Sequence, residues 1–447
     1  MADSAMQKAI DDAYANGKPF YVIVPDDGAY IFDGTKTTKV PTPSTSTPTT
    51  PTTPTTPTTP TGKVFRVIDY NSIYDALTAA AASGGTVVFP ANGQFTIDLN
   101  KPLSVAANVS IQGNGTTIKL VGSGFAAEML GIRGSNVNID KLILDGNNLS
   151  KCGVNIYENL SNINITNSTI MNYTQGGSYA TDLVSGVMIK TGVVNVVLSG
   201  NTVKNVRAKN APAVSRGIMM SSYNGTIAKN VTISNNTITD IYPKDDGDGV
   251  YFDSGTVLSN SVVTGNTFER CAKRGIKISS PGVIVSNNHV INSFLNNNQY
   301  VANNPVPNND MYAGISVYAS DVTVSGNTID GVGSFYGGIE ITADLLVQRV
   351  KILNNTVVMG PNSNLSGATA MRVGDISDFE IRANKLTHAS IGIWTWQGAV
   401  NGVIADNDIS DVDYGIQLST YVTGKPFSNV TLSNNTIQAR KAAVVNR

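Results

Sequence analysis

The sequence predicts an all-β solenoid, a parallel β-helix, from three observations. A short unit, clearest in Asn429-Val430-Thr431-Leu432-Ser433-Asn434-Asn435-Thr436-Ile437, recurs along the chain. Copies include Asn108-Val109-Ser110-Ile111, Asn162-Ile163-Asn164-Ile165-Thr166-Asn167, Asn230-Val231-Thr232-Ile233-Ser234-Asn235-Asn236-Thr237-Ile238 and Asp321-Val322-Thr323-Val324-Ser325-Gly326-Asn327-Thr328-Ile329. Aligning them stacks Asn167, Asn201, Asn236, Asn266, Asn288, Asn327, Asn355, Asn384, Asn407 and Asn435. The intervals run from 22 residues (Asn266 to Asn288) to 39 (Asn288 to Asn327), so a constant unit carries variable insertions, as in stacked repeats. Between copies lies a second element, a glycine followed by apolar, variable and apolar residues: Gly186 to Ile189, Gly217 to Met220, Gly249 to Phe252, Gly275 to Ile278, Gly314 to Val317, Gly338 to Ile341, Gly392 to Thr395 and Gly415 to Leu418. Its alternation has the period of a half-buried strand, and no helical run separates the copies. Each unit thus holds three short strands, one coil of the solenoid. The stacked Asn suits a corner, since it tolerates left-handed backbone and its amide can bond the Asn of the next coil.

The pattern over residues 64–447 resembles the right-handed parallel β-helix of the pectin-lyase-like superfamily, which includes pectate lyases, polygalacturonases, polysaccharide epimerases and phage tailspikes. Four segments are expected: an N-terminal α+β attachment module over 1–37, a Thr/Pro linker over 38–63, a first-coil cap with a helix over 64–100, and the β-helix over 101–447. In the first, Ser4 can cap a helix over Ala5 to Asn16, and Phe20 to Val24 with Ala29 to Phe32 reads as a hairpin. So small a module needs a partner or self-association. In the second, Pro48, Pro51, Pro54, Pro57 and Pro60 fall on one edge of a polyproline II helix, a semi-rigid spacer whose edges can meet around a threefold axis. In the third, an amphipathic helix over Ser72 to Ala82 precedes Gly84-Gly85-Thr86-Val87-Val88-Phe89-Pro90, and a helix laid across the first coil would block an open sheet edge. This stretch is similar to the start of the β-helix in phage tailspikes. At the other end no such cap is visible, so a neighbouring chain, or the charges of Arg440, Lys441 and Arg447, would protect the last coil.

Net charge is −1, which disfavours a nucleic-acid surface. Cys152 and Cys271, the two cysteines, lie coils apart and read as unpaired interior thiols. No apolar stretch is long enough for a membrane span, and the N-terminus lacks a secretory pattern, so release of virions by lysis is the exit expected for such a fold. No His/Cys cluster suggests zinc, Asp245-Asp246-Gly247-Asp248-Gly249 lacks the full pattern of a calcium loop, and no metal or cofactor is expected.

In the glycine-led strands both apolar residues point inward, so the variable residue and the one after the second apolar residue point out. Stacking them places Tyr251, Asp253, Lys277, Tyr318, Glu340, Arg372, Trp394 and Trp396 on one face, flanked by the longest insertions, 172–185, 205–216, 240–248, 292–313 and 359–369. Rings beside hydrogen-bonding charges suit sugars. Asp245-Asp246-Gly247-Asp248 followed one coil later by Lys273-Arg274-Gly275-Ile276-Lys277 resembles the Asp-Asp and Arg-Ile-Lys motifs of polygalacturonases. That resemblance implies an acid at Asp246 and substrate-binding cations at Arg274 and Lys277; the family's Gly-His-Gly is absent, and His289 and His388 lie elsewhere. Candidate catalytic residues are Asp246, Asp248, Asp253 and Glu340; candidate substrate-binding residues are Tyr251, Arg274, Lys277, Tyr318, Arg372, Trp394 and Trp396. The expected function is a phage tailspike, homotrimeric and fixed to the tail or baseplate through its N-terminal module, that binds a bacterial surface polysaccharide and hydrolyses it. A non-catalytic glycan-binding spike and a polysaccharide lyase or epimerase are the alternatives.

Overall fold

The computed structural model describes residues 20–24, 28–32, 37–39 and 62–446, apart from 210–212, 243–245, 292–312, 333–336, 343, 360–367 and 419–426. The chain divides into two units, Met1–Thr59 and Pro60–Arg447. In the first, Phe20–Val24, Gly28–Phe32 and Thr37–Lys39 form an antiparallel sheet, with Phe20 opposite Phe32 and Tyr30 opposite Lys39. The hairpin was legible; the third strand, Thr-Thr-Lys, has no alternation to betray it. The helix expected over 5–16 and the Pro/Thr segment from Pro41 to Pro60 lie outside the described residues.

The second unit is a parallel β-helix. Ser161–Thr166, Thr169–Thr174 and Val184–Ile189 form one coil, and each pairs in parallel with its counterpart in the next: Val194–Ser199, Thr202–Arg207 and Ser215–Met220. The same three-strand scheme recurs up the solenoid. Toward the C-terminus the second and third strands fuse into Lys385–Thr395, Asp408–Leu418 and Thr436–Asn446, because no insertion separates them there. Inside, Val154, Val187, Ile218, Val250, Ile276, Ile315, Ile339, Met371, Ile393 and Ile416 stack as one dry column.

The asparagine ladder runs through this interior. Nδ2 of Asn201 donates to Oδ1 of Asn236 at 3.0 Å, and Asn236, Asn266, Asn288, Asn327, Asn355, Asn384 and Asn407 each pass the same bond onward, ending on Asn435. Each Oδ1 also accepts the backbone N–H of the preceding ladder residue, and each Nδ2 also reaches a strand carbonyl one coil back. Two details differ from expectation. Asn167 lies one place early, level with Gly200 and Asn235, and Ser168 fills the ladder position, its N–H donating to Asn201 Oδ1 at 2.9 Å. Left-handed backbone belongs not to the ladder but to the residue before it, as at Asn235, Asn287, Asn354 and Asn434. A second, exposed ladder of left-handed asparagines, Asn108, Asn136, Asn162, Asn195 and Asn230, runs up another corner.

The cap helix spans Ile73–Ser83; Ser72 Oγ accepts the Asp75 N–H at 3.2 Å, and Gly84 ends the helix at φ 68°. It buries Ile73, Ala76, Leu77 and Ala80, one helical stripe, over the first strands. The last strands, Phe427–Ser433 and Thr436–Asn446, pair on one side among the described residues. Arg440 and Lys441 fold back onto Asp411 and Asp413 of the preceding coil. Both side chains stay about half exposed, at 45 % and 57 %; Arg447 lies outside the described residues.

Asn288→Ala removes four amide hydrogen bonds and leaves the Asn266 N–H and the Val263 carbonyl buried without them. At about 1–3 kcal/mol per stranded group, the variant is expected to lose roughly 3–5 kcal/mol in urea unfolding, whereas Asn162→Gly in the exposed ladder costs under about 1 kcal/mol. Equal losses would mean that the buried ladder does not hold the stack.

Candidate functional site

The outward column of the glycine-led strands is in the expected register throughout. Met219 pairs with Tyr251, Tyr251 with Lys277, Lys277 with Ser316, Ser316 with Glu340, Glu340 with Arg372, and Arg372 with Trp394. Asp253, Tyr318 and Trp396 stand two residues further along their strands. At roughly 4.8 Å per coil, Tyr251 to Trp394 spans about 24 Å.

A third column joins them, and the alternation pattern concealed it. The glycine that opens each strand points inward: a Cβ on Gly249 would lie 2.5 Å from the Phe268 ring, and one on Gly275 2.9 Å from Val290. Glycine therefore lets the chain turn in tightly, and the residue before it is carried onto the outer face. That residue is Arg216, then Asp248, then Arg274, stacked in register. Arg216 was missed; its signal was its place before Gly217, one coil below Asp248.

These three form a sealed charge stack with Asp246. Asp248 is fully buried, 3.3 Å from Arg216 Nη1 on one side and from Arg274 Nη1 on the other. Asp246 accepts from Arg216 Nη2 at 2.6 Å and Arg274 Nη1 at 2.8 Å, and its backbone carbonyl also accepts from Arg216. Arg274 continues upward, Nε donating to Ser316 Oγ at 3.2 Å and Nη2 to the Tyr318 hydroxyl at 3.3 Å; Ser316 Oγ donates to Glu340 Oε2 at 3.1 Å. Burial pushes the Asp246 carboxyl up, but the combined fields of Arg216, Arg274, Lys277 and Lys273 overcome it and hold the group well below the ordinary carboxylate range. Asp248 and Arg274, at 0 % and 1 % side-chain exposure, are enclosed by their ionic partners within the face.

Outside the stack lie alternating cations and rings. Lys277 Nζ sits 4.8 Å from the Tyr251 ring centre and 5.2 Å from that of Tyr318, while Arg216 covers the other side of Tyr251 at 4.8 Å. Higher up, Arg372 lies 3.5 Å from the Trp396 ring centre and 5.5 Å from that of Trp394. Burial, then Arg274, draws the Lys277 ammonium below its ordinary value, against the pull of Asp248 and Asp246. Burial, then Asp253, raises the Tyr251 hydroxyl. Asp253 stands apart from the other carboxylates: it accepts from Tyr251 OH at 3.0 Å and from Ser222 N–H and Oγ at 3.2 and 3.1 Å, and so fixes the ring. Glu340 is 2 % exposed at the floor of the face. Of the flanking insertions, 292–312 and 360–367 lie outside the described residues. Among the described residues no three His, Cys, Asp or Glu side chains are grouped to hold a metal ion, and no helix is long and apolar enough to cross a membrane. Cys152 and Cys271 are unpaired and in different coils.

Residues 313–446 match the family described as the right handed beta helix region. Among curated proteins, none matches the chain by sequence. Similar solved structures include the catalytic unit of a thermostable GH87 α-1,3-glucanase from Streptomyces thermodiastaticus (14% identity, TM-score 0.57, covering 86% of this chain and 70% of that one). The surface adhesin PfbA of Streptococcus pneumoniae is similar too (13%, TM-score 0.57, 86% and 93%), as is the Dettilon tailspike protein (16%, TM-score 0.54, 77% and 64%). At such identities the likeness is one of fold, and the chain is a right-handed parallel β-helix of the kind found in tailspikes and polysaccharide-processing enzymes.

The charge stack sets an acid limb for stability. The folded value of Asp246 lies below its ordinary 3.8, so its contribution is complete above that pH and is lost as pH falls from there through the folded value. In urea unfolding the parent is expected to weaken below about pH 4, and Asp246→Asn, weaker at pH 7, to lose less on acidification. Parallel acid limbs would show that the stack holds no extra proton-linked stability.

Proposed function

We propose that the chain is a phage tailspike, virion-borne or otherwise extracellular, that binds a bacterial surface polysaccharide along the face from Tyr251 to Trp396 and depolymerises it. The observation that carries this reading is the outward column on strands stacked in register, with rings and cations on both sides of Ser316 and Glu340. Tyr251, Tyr318, Trp394 and Trp396 offer surfaces for the C–H faces of sugars, and Lys277 offers charge to acidic substituents, while Arg372, 5 % exposed, backs the two tryptophans.

For cleavage, glycosidic hydrolysis needs one carboxylic acid to protonate the leaving oxygen and one carboxylate to activate water or attack. Asp246, held ionised, suits the second role. Glu340, joined to it through Arg274 and Ser316, is offered for the first. Asp253 positions Tyr251, and Asp248 holds the arginines. One observation favours a non-catalytic spike instead: all four carboxylates already accept hydrogen bonds or ion pairs from the protein. An elimination route would use Lys277, its ammonium lowered by burial, beside Tyr251 or Tyr318.

Purified capsule or O-polysaccharide is incubated with the parent, Asp246→Asn, Glu340→Gln and Trp394→Ala, following product length and the ultraviolet absorbance of unsaturated uronates. Asp246→Asn and Glu340→Gln are expected to abolish cleavage while keeping binding, and Trp394→Ala to weaken binding by about ten-fold, near 1.4 kcal/mol. Amide variants that cleave at the parent rate would sink the acid-pair mechanism; absorbance would replace it with elimination, and binding without products would leave a receptor-binding protein alone. Homotrimerisation and tail attachment through the N-terminal module belong to the same reading, supported by the small N-terminal sheet and the period-three proline segment. Light scattering at micromolar concentration is expected to give three times the chain mass, and a monomer would remove the trimer.

A further inference from the structure

We infer that a second anion-binding subsite, for a carboxylate or phosphate substituent of the same polysaccharide, lies three coils before Tyr251, at Arg133, Tyr157 and Lys190. It rests on the glycan-binding reading above and extends it. Glu128 is buried, and its carboxylate accepts from Arg133 Nη2 at 2.6 Å, Asn155 Nδ2 at 2.7 Å and the Tyr157 hydroxyl at 2.9 Å. Arg133 offsets that carboxylate's charge, and the three donors it accepts from fix the arginine and the ring. The Arg133 guanidinium lies 4.1 Å from the Tyr157 ring centre, and its side chain is 47% exposed. A cation whose one edge is anchored and whose plane is backed by a ring keeps its remaining N–H donors turned to solvent, at little further entropic cost on binding. Gly131 makes room for this arrangement: a Cβ there would lie 2.6 Å from Glu128 Oε1.

The same device recurs at the described site. Tyr157 stands between Arg133 and, on the next coil, Lys190, with its hydroxyl tied to a fixed carboxylate, Glu128. Tyr251 stands between Arg216 and Lys277, with its hydroxyl tied to a fixed carboxylate, Asp253. The two rings occupy neighbouring outward columns of one sheet. From Asn155 the column runs through Met188 and Met219 to Tyr251, three coils or about 14 Å. Met188 is half-buried and Met219 buried, so the stretch between the two rings presents no charge. The ligand class is therefore an acidic polysaccharide whose charged residues recur with neutral ones between them.

The full-length protein is titrated calorimetrically with purified uronate-bearing and phosphate-bearing bacterial polysaccharides, and with neutral dextran. Each acidic polymer that binds is then cut into fragments of about three and about eight sugars, the longer able to span both subsites. Arg133→Ala is expected to weaken the long fragments by at least about ten-fold and the short ones by less than about two-fold, while Lys277→Ala weakens both. Carboxyl reduction of the uronate-bearing polymer reproduces the Arg133→Ala loss if a carboxylate is held, and the phosphate-bearing polymer shows the loss if a phosphate is. Arg133→Gln removes the charge while keeping a donor for Glu128, and is expected to show the same length-dependent loss. Long fragments that bind both Arg133 variants as tightly as the parent would overturn the second subsite and leave the Tyr251 face intact. An equal affinity of Lys277→Ala and parent at both lengths, or binding of no acidic polymer, would overturn the face itself and this inference with it.

Discussion

A buried asparagine amide must fill two acceptor and two donor positions, and the interior of this solenoid offers one way to do it: through the next coil. Each ladder residue accepts from the residue below and donates to the residue above and to a strand carbonyl, so the requirement of one is met only if all are level. From Asn201 to Asn435 that constraint fixes the height and register of each coil regardless of how long its insertions are, 22 residues between Asn266 and Asn288 or 39 between Asn288 and Asn327. The outward columns are its direct consequence. Residues far apart in sequence, such as Lys277 and Ser316, become neighbours because their asparagines do.

On the functional face the same stacking brings like and unlike charges within contact, and the fold resolves them by alternation. Arg216, Asp248 and Arg274 are each costly to bury alone, and in register Asp248 lies between the two arginines, each of which also pairs with Asp246. The arrangement is stiff: moving any member strands a charge of its neighbour. Its effect on chemistry is to withdraw carboxylates from the surface and leave rings and cations there, backed by fixed partners. An anionic, sugar-like surface is the natural complement, and a rigid one needs little ordering on binding.

The outward column from Met219 to Trp394 was legible because it depends on a period of two and on one recurring glycine, both written in the sequence. The ladder from Asn201 to Asn435 was legible for the same reason, although Asn167 was placed one residue off by a copy ending in a single Asn. The Arg216–Asp248–Arg274 column was not, since strict alternation assigns residues before the glycine to the interior; the inward turn at Gly249 and Gly275 reverses that. Nor could residue type separate struts from ligand contacts. Asp248 and Asp253 read alike in sequence, and burial between two arginines against hydrogen bonding to Tyr251 sets them apart.

A periodic face presents a difficulty for any reaction along it. Rings and cations repeated at the coil spacing bind a polymer well in several registers, since a shift by one or two coils exchanges one ring for another. Affinity then accumulates without fixing which bond lies where. The column breaks its rhythm once, at Ser316 and Glu340, where a hydroxyl and a buried carboxylate replace ring and cation between the tyrosines below and the tryptophans above. An acidic sugar is favoured beside Lys277 and disfavoured over Glu340, so that break distinguishes one register from the others. Under the proposed function it is also where a neutral glycosidic segment would come to rest, beside the Glu340 carboxyl, which three hydrogen bonds through Ser316 and Arg274 link to Asp246.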